Sequence, residues 1–171
     1  ELISNKKTNL PHMLPSLNVF KKKINLFNIK KDTRVILYSK NDILGSSRVW
    51  WMFKYFGFKN ISVLNGGLIK WIKEGKPVTN KISTKNQTLY KFNIEKNWLA
   101  SKKDIEKNIG KKDFIIFDAR NNDRFKGNES EPRKNLKLGN IPKSKNIFWK
   151  NVTNNGNLIL SKKKIKQVFS R

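Results

Sequence analysis

The chain has 171 residues, of which 37% are hydrophobic and 11% aromatic, and it carries a formal charge of +26. That length and apolar content support a buried core and exclude a disordered chain, and no stretch reaches the roughly 20 apolar residues of a membrane helix. There is no cysteine and a single histidine, His12, so disulfides, thiolate metal sites, a cysteine nucleophile and multi-histidine clusters are excluded within these residues.

The charge invites a nucleic-acid reading, because basic surfaces attract phosphate. The lysines argue against it. They run along the whole chain in sets such as Lys21-Lys22-Lys23 and Lys162-Lys163-Lys164, without the aromatic interleaving that stacks bases. Lys, Asn, Ile and Phe are plentiful while Arg and Ala are scarce, which is what an AT-rich coding sequence produces, with lysine filling solvated positions. A small anionic ligand is the other partner that such a charge suits. No signal-peptide pattern marks the segment for export, so the cytoplasm is the expected compartment and no membrane partner is expected. Residue 1 is Glu, and the closing stretch SKKKIKQVFSR begins a helical pattern that stops early, so a fragment cut at both ends is expected.

In chain order, Ser16 is placed to cap a helix with Phe20, Ile24 and Phe27 on one stripe. Val35 to Tyr38 reads as a strand covered on both faces. Val49, Met52, Phe53 and Phe56 form the apolar stripe of a second helix, with Gly57 as its C-terminal cap. ISVL is a second strand, Asn65-Gly66-Gly67 a tight turn, and LIKWIKEGKPV a short helix turning Leu68, Trp71 and Ile72 inward, closed by Gly75 and Pro77. Strand and helix alternating at this spacing predict a parallel sheet. Residues 79–97, where the pattern fades, read as a linker.

The pattern restarts with Ser101 and Asp104, a capping box before Ile105 and Ile109. Phe114 to Phe117 reads as a buried strand, Ile147-Phe148-Trp149 as another, and Ser161 as the cap of a helix carrying Ile165, Val168 and Phe169. Two α/β units joined by a polar stretch is the simplest organisation, and one continuous α/β domain is the alternative.

Between these strands lies DARNNDRFKGNESEPRKN, residues 118–135, where Arg124 and Arg133 sit among acids. On the residues alone, either arginine could simply pair with Glu129 or Glu131. A guanidinium also grips a small anion in bidentate fashion, as an ammonium cannot, and a loop after a parallel strand is where open α/β sheets bind ligands.

Three stretches in order, HMLPS at 12–16, SRVWWMFKYFGFKNISVLNGGLIKW at 47–71 and DARNNDRFKGNESEPRKNLKLGNIP at 118–142, resemble the tandem-rhodanese sulfurtransferases. That family includes 3-mercaptopyruvate and thiosulfate sulfurtransferases, and the resemblance runs from about Leu10 to Phe169. It implies an α/β fold of two tandem rhodanese-like domains, each a parallel sheet flanked by helices and both incomplete here. Residues 1–78 would be the latter part of the silent first domain, 79–97 the linker, and 98–171 the first half of the catalytic second domain.

The implied activity moves sulfane sulfur from 3-mercaptopyruvate or thiosulfate, through a cysteine persulfide, to a thiol or cyanide acceptor, a thioredoxin-like protein among them. The cysteine would follow Arg171, so these residues alone should not turn over. No cofactor or metal is implied. A non-catalytic module that binds an anion or a protein is the alternative.

By motif, Arg124 in DRF and Arg133 in EPR match the family's substrate-binding arginines, and the EPR arginine leans toward the carboxylate-bearing donor. His12 matches the histidine of a proton relay whose other members would lie outside the chain, and a packing role is its alternative. Arg48, Trp50, Trp51 and Trp71 read as architectural. The family's usual GHIPGA is here Gly139-Asn140-Ile141-Pro142-Lys143-Ser144, which replaces a histidine and a glycine.

Overall fold

A computed structural model describes residues 12–30, 32–81, 90–132 and 136–170. The chain divides into two compact units, Glu1–Leu99 and Ala100–Arg171.

In the first unit Ser16 accepts a hydrogen bond from the Val19 amide and opens α1 (Leu17–Ile24). Then come β1 (Val35–Leu37), α2 (Leu44–Tyr55), β2 (Ile61–Val63) and α3 (Gly67–Lys73). Strands β1 and β2 are parallel, with Val35 opposite Ile61 and Leu37 opposite Val63. The sheet is built as the alternation predicts, because a parallel pair needs a crossover and α2 supplies it.

The core is mostly rings. Phe20 and Ile24 of α1 and Met52, Phe53 and Phe56 of α2 enclose it together with Phe58, Ile61 and Phe92. Phe20 stacks on Phe56 at 4.2 Å and meets Phe53 and Phe92 edge-on at 5.2 and 5.4 Å. Gly57 takes φ +82° as α2 ends, and a Cβ there would lie 2.3 Å from the Asn93 carbonyl oxygen. Only glycine lets the segment carrying Phe92 come this close.

Several expectations are corrected here. Phe27 is 66% exposed, because a 3-10 turn over Asn25–Phe27 rotates it off the stripe of Phe20 and Ile24. The β1 strand is not covered on both faces: Ile36 and Tyr38 are exposed. Beside them Trp71 and Ile72 of α3 remain 36% and 54% exposed, so α3 does not bury them in a core. With Pro77 and Val78 they line an open groove. The stretch read as a linker is not all detached. Phe92 is buried and Tyr90 packs against the same core, while residues 82–89 lie outside the described residues.

In the second unit the capping box forms as read, with Ser101 and Asp104 exchanging bonds at the start of α4 (Lys102–Lys111). Next come β3 (Phe117–Asp118), α5 (Asn122–Lys126), β4 (Lys145–Asn146), β5 (Thr153–Asn154), β6 (Leu158–Ile159) and α6 (Lys162–Phe169), the last capped by Ser161. Strands β3 and β4 are parallel, with Asp118 opposite Asn146.

The sequence places both strands differently. Phe114 and Ile115 are exposed outside β3, and Ile147-Phe148-Trp149 follows β4 into a 3-10 turn. The apolar runs only border the pairing: the Lys145 amide donates to the Ile116 carbonyl and the Ile147 amide to that of Asp118, so pairing starts late in the first run and ends at the start of the second. The β5–β6 hairpin was not read from the sequence, although Asn155 and Gly156 at its turn, both with positive φ, carry the Asn-Gly signal. Phe169 meets Phe117 edge-on at 5.2 Å yet stays half exposed, so α6 covers its strand incompletely.

Candidate functional site

The C-terminal end of β3 is organised by its own last residue. Asp118 accepts from the Arg120 amide at 2.9 Å, an Asx turn that reverses the chain out of the strand. Asn146 on β4 secures the turn from the other side, donating to the carbonyls of Asp118 and Arg120 at 3.0 and 2.8 Å. Asn121 then caps α5 by accepting from the Arg124 amide at 2.8 Å, and donates its own amide to Glu129 at 2.8 Å. What reads as one long polar loop is therefore a turn, a five-residue helix and a return. Gly127 ends α5 with φ +81°, and a Cβ there would come within 3.1 Å of the Gly139 nitrogen.

These elements gather two arginines around one sequestered acid. Glu131 has only 5% of its side chain exposed. Its Oε1 accepts from Arg120 Nη1 at 2.6 Å, while Arg124 reaches Oε2 through Nη2 and Oε1, more distantly, through Nε. Arg120 also grips Asp118 with Nε at 3.0 Å from both oxygens, and donates Nη2 to the Gly139 carbonyl at 2.8 Å.

Electrostatics follow the geometry. The hydrogen bond from Arg120 holds the Asp118 carboxyl below the usual carboxylate range, and the one from Arg124 does the same for Glu131. Asp118 in turn raises the Arg120 pKa. Arg120 thus spends most of its five N–H groups inside the cluster. Arg124 does not: both hydrogens of Nη1 and one of Nη2 have no partner among the described residues.

The predicted residues fare differently. Arg124 stands on α5 just after the strand end and is paired with Glu131, one of the two acids expected as its structural partner, though away from the open surface. Arg133 lies outside the described residues. His12 belongs to the first unit, where it has φ +61° and its backbone carbonyl accepts from the Arg48 guanidinium on α2. Arg48, Trp50 and Trp51 pack as read: Trp51 Nε1 donates to the Trp98 carbonyl at 2.6 Å and Trp50 meets Trp98 edge-on at 5.4 Å.

Arg120 and Glu131 as a linked pair were not singled out from the sequence. The signal was present in the alternation of acids and arginines, but nothing in spacing says which acid serves which arginine. Asn140, standing where the resembled family has histidine, donates to the Phe125 carbonyl at 2.9 Å, so a polar anchor survives the exchange.

A sheet end carrying a guanidinium whose N–H groups are partly unengaged among the described residues has the donor chemistry that suits a small anion. Residues 5–74 match the family described as rhodanese-like domain. It is 31% identical to the 3-mercaptopyruvate sulfurtransferase of Mus musculus over 160 residues, 92% of this chain and 54% of that protein. It is 35% identical to the thiosulfate sulfurtransferase of Cricetulus griseus, with the same shares covered.

The chain thus spans about half the length of these curated relatives. The fold superposes on that of SseA from Escherichia coli, described among 3-mercaptopyruvate sulfotransferases, with TM-score 0.83 and 24% identity over 98% of this chain and 62% of that one. A 3-mercaptopyruvate sulfurtransferase from Leishmania major gives TM-score 0.71 and 20% identity over 98% of this chain and 47% of that one. The rhodanese-like α/β fold expected from the sequence is the fold found. Among the described residues no helix is long and apolar enough to cross a membrane.

Proposed function

We propose that the full-length protein is a sulfurtransferase, carrying sulfane sulfur from 3-mercaptopyruvate, or thiosulfate, to a thiol or cyanide. The observation that carries this reading is Arg124, fixed just past a parallel strand with N–H groups unengaged among the described residues, in a chain similar to such enzymes along most of its length. Arg124 and Arg133 bind the anionic sulfur donor, and Arg133 favours a carboxylate-bearing one. His12 is carried as a proton-relay member.

The chemistry requires a cysteine thiolate, which residues 1–171 do not contain. The thiolate attacks the sulfur of 3-mercaptopyruvate and a sulfur–sulfur bond forms. The carbon–sulfur bond breaks, its electron pair passing to the pyruvate enolate, which takes up the proton of the former thiol. The acceptor then attacks the outer sulfur and releases the enzyme thiolate. Cationic neighbours favour the thiolate and the persulfide anion alike.

The experiment is direct. Full-length protein is given 3-mercaptopyruvate or thiosulfate with cyanide, and thiocyanate and pyruvate are measured. Turnover that vanishes when the cysteine becomes serine supports the reading. A full-length chain without that cysteine, or without transfer from either donor, sinks it in favour of a non-catalytic module that binds an anion or a protein partner.

Thioredoxin-like thiols are the proposed physiological acceptors, and neither a membrane nor nucleic acid is a proposed partner. The cytoplasm is the compartment carried forward. A relative from Arabidopsis thaliana is named as mitochondrial, so imaging of the tagged full-length protein decides between the two.

A further inference from the structure

We infer that Glu131 is a positioning residue for Arg124, holding one edge of its guanidinium so that the opposite edge faces the sulfur donor; this rests on the sulfurtransferase reading above. A guanidinium has two bidentate edges, a side-on edge formed by Nε with one terminal nitrogen and an end-on edge formed by the two terminal nitrogens. Glu131 occupies the side-on edge, through Nε and Nη2. The end-on edge keeps one hydrogen of Nη2 and those of Nη1, and these meet nothing among the described residues.

Glu131 can act as an anchor because it is itself anchored. Arg120 Nη1 holds its Oε1 at 2.6 Å, and Arg120 is fixed by Asp118 at the strand end and by the Gly139 carbonyl. A chain of charged bonds therefore runs from the sheet to the ligand-facing side chain, and none of its links depends on a free rotamer. Preorganisation of this kind removes the cost of ordering a long side chain when the anion arrives.

The geometry competes with simple electrostatics, and that makes the role testable. Asp118 and Glu131 neutralise Arg120 and Arg124, so removing the Glu131 charge should by Coulomb's law alone draw an anion in more tightly. Positioning demands the reverse. In Glu131→Gln the amide nitrogen opposes an arginine N–H, the anchor fails, and Arg124 swings.

The test compares full-length wild-type protein with Glu131→Gln, measuring KM and kcat for 3-mercaptopyruvate together with calorimetric binding of pyruvate as an unreactive carboxylate. Positioning raises KM and weakens pyruvate binding about tenfold, with kcat changed far less. Glu131→Asp, which keeps the charge but shortens the reach, gives a rise in the same direction and serves alone if the Gln variant fails to fold. An unchanged or lowered KM in a folded variant overturns the inference while leaving the sulfurtransferase reading intact. If wild-type protein transfers no sulfur yet binds pyruvate, the calorimetric comparison decides for Glu131 and the activity reading falls by itself. If it neither transfers sulfur nor binds pyruvate, both fall.

Discussion

In the first unit the interior is made of rings, with Phe20, Phe53, Phe56, Phe58 and Phe92 packed at stacked or edge-on angles. In the second unit the described side chains most withdrawn from water are polar. Asn108 bonds both backbone groups of Phe114 at 2.8 and 2.9 Å, and Glu131 sits between two arginines. No apolar side chain described in that unit is fully buried. The contrast is between a core held by area, which tolerates changes of pH and fails when a cavity opens, and one held by directed bonds, which does the opposite. Ligand recognition needs the second kind of order. A guanidinium fixed by hydrogen bonds has a direction, whereas a phenylalanine fixed by neighbours offers only shape.

The sharpest way to break that comparison is Phe20→Ala. The ring is fully buried, and its removal should cost about 4 kcal/mol. Hydrogen exchange should show faster opening of α1 and α2 amides while those of α4 stay protected. Equal loss in both units would mean that the two cores unfold as one. The counterpart is Arg120→Ala, which strips Asp118 of its partner and leaves Glu131 half satisfied. The cluster is partly open, with 27% of the Arg120 side chain exposed, so the cost is discounted to about 2 kcal/mol. The β3 and α4 amides should report it and the ring core should not.

How far the sequence spoke depends on the same contrast. Helix stripes and caps were legible: Ser16, Ser101 and Ser161 all cap as read, because a cap is a local bond between residues three apart. Met52, Phe53 and Phe56 came out buried because helical periodicity sorts them. The strands expected at Phe114–Phe117 and Ile147–Trp149 are shifted along the chain, overlapping the real pairing only at their edges, since an apolar run says that something is to be covered but not where pairing begins and ends. The rhodanese-like fold was legible through ordered motifs rather than through any one element. Arg124 was legible as a candidate by type, but its engagement with Glu131, and the support from Arg120, depend on how α5 folds the chain back on itself. Periodicity carries no such information.

Acid provides the next test, and its direction follows from the depressed carboxyls. Asp118 and Glu131 are held below their ordinary values by Arg120 and Arg124. A group whose folded pKa is lowered contributes stability that is complete above its unfolded value, about 4, and is lost as pH falls through the folded value. The second unit should therefore weaken progressively below about pH 4, with β3 amides losing protection before those of α2, whose packing is uncharged. Glu131→Gln should flatten part of that dependence. Parallel acid profiles in the two units would show that the polar cluster adds nothing to stability.

The smallest expected effect tests whether the directed bonds are uniformly favourable. Lys143 has φ +64° in the turn Asn140 to Ser144, which is closed by the Ser144 amide donating to the Ile141 carbonyl at 3.0 Å. A side chain in that region crowds its own carbonyl, and the resembled family usually has glycine there. The Lys143 ammonium offsets some of this by donating to the Ile109 carbonyl at the end of α4, but that bond is exposed and of little worth. Lys143→Gly should therefore stabilise the second unit by about 1 kcal/mol, less the glycine's extra unfolded-state entropy, read as a rise in its denaturation midpoint. A fall instead would mean that the lysine's tie to α4 outweighs the strain. The polar order around Glu131 would then extend to the helix that opens the unit.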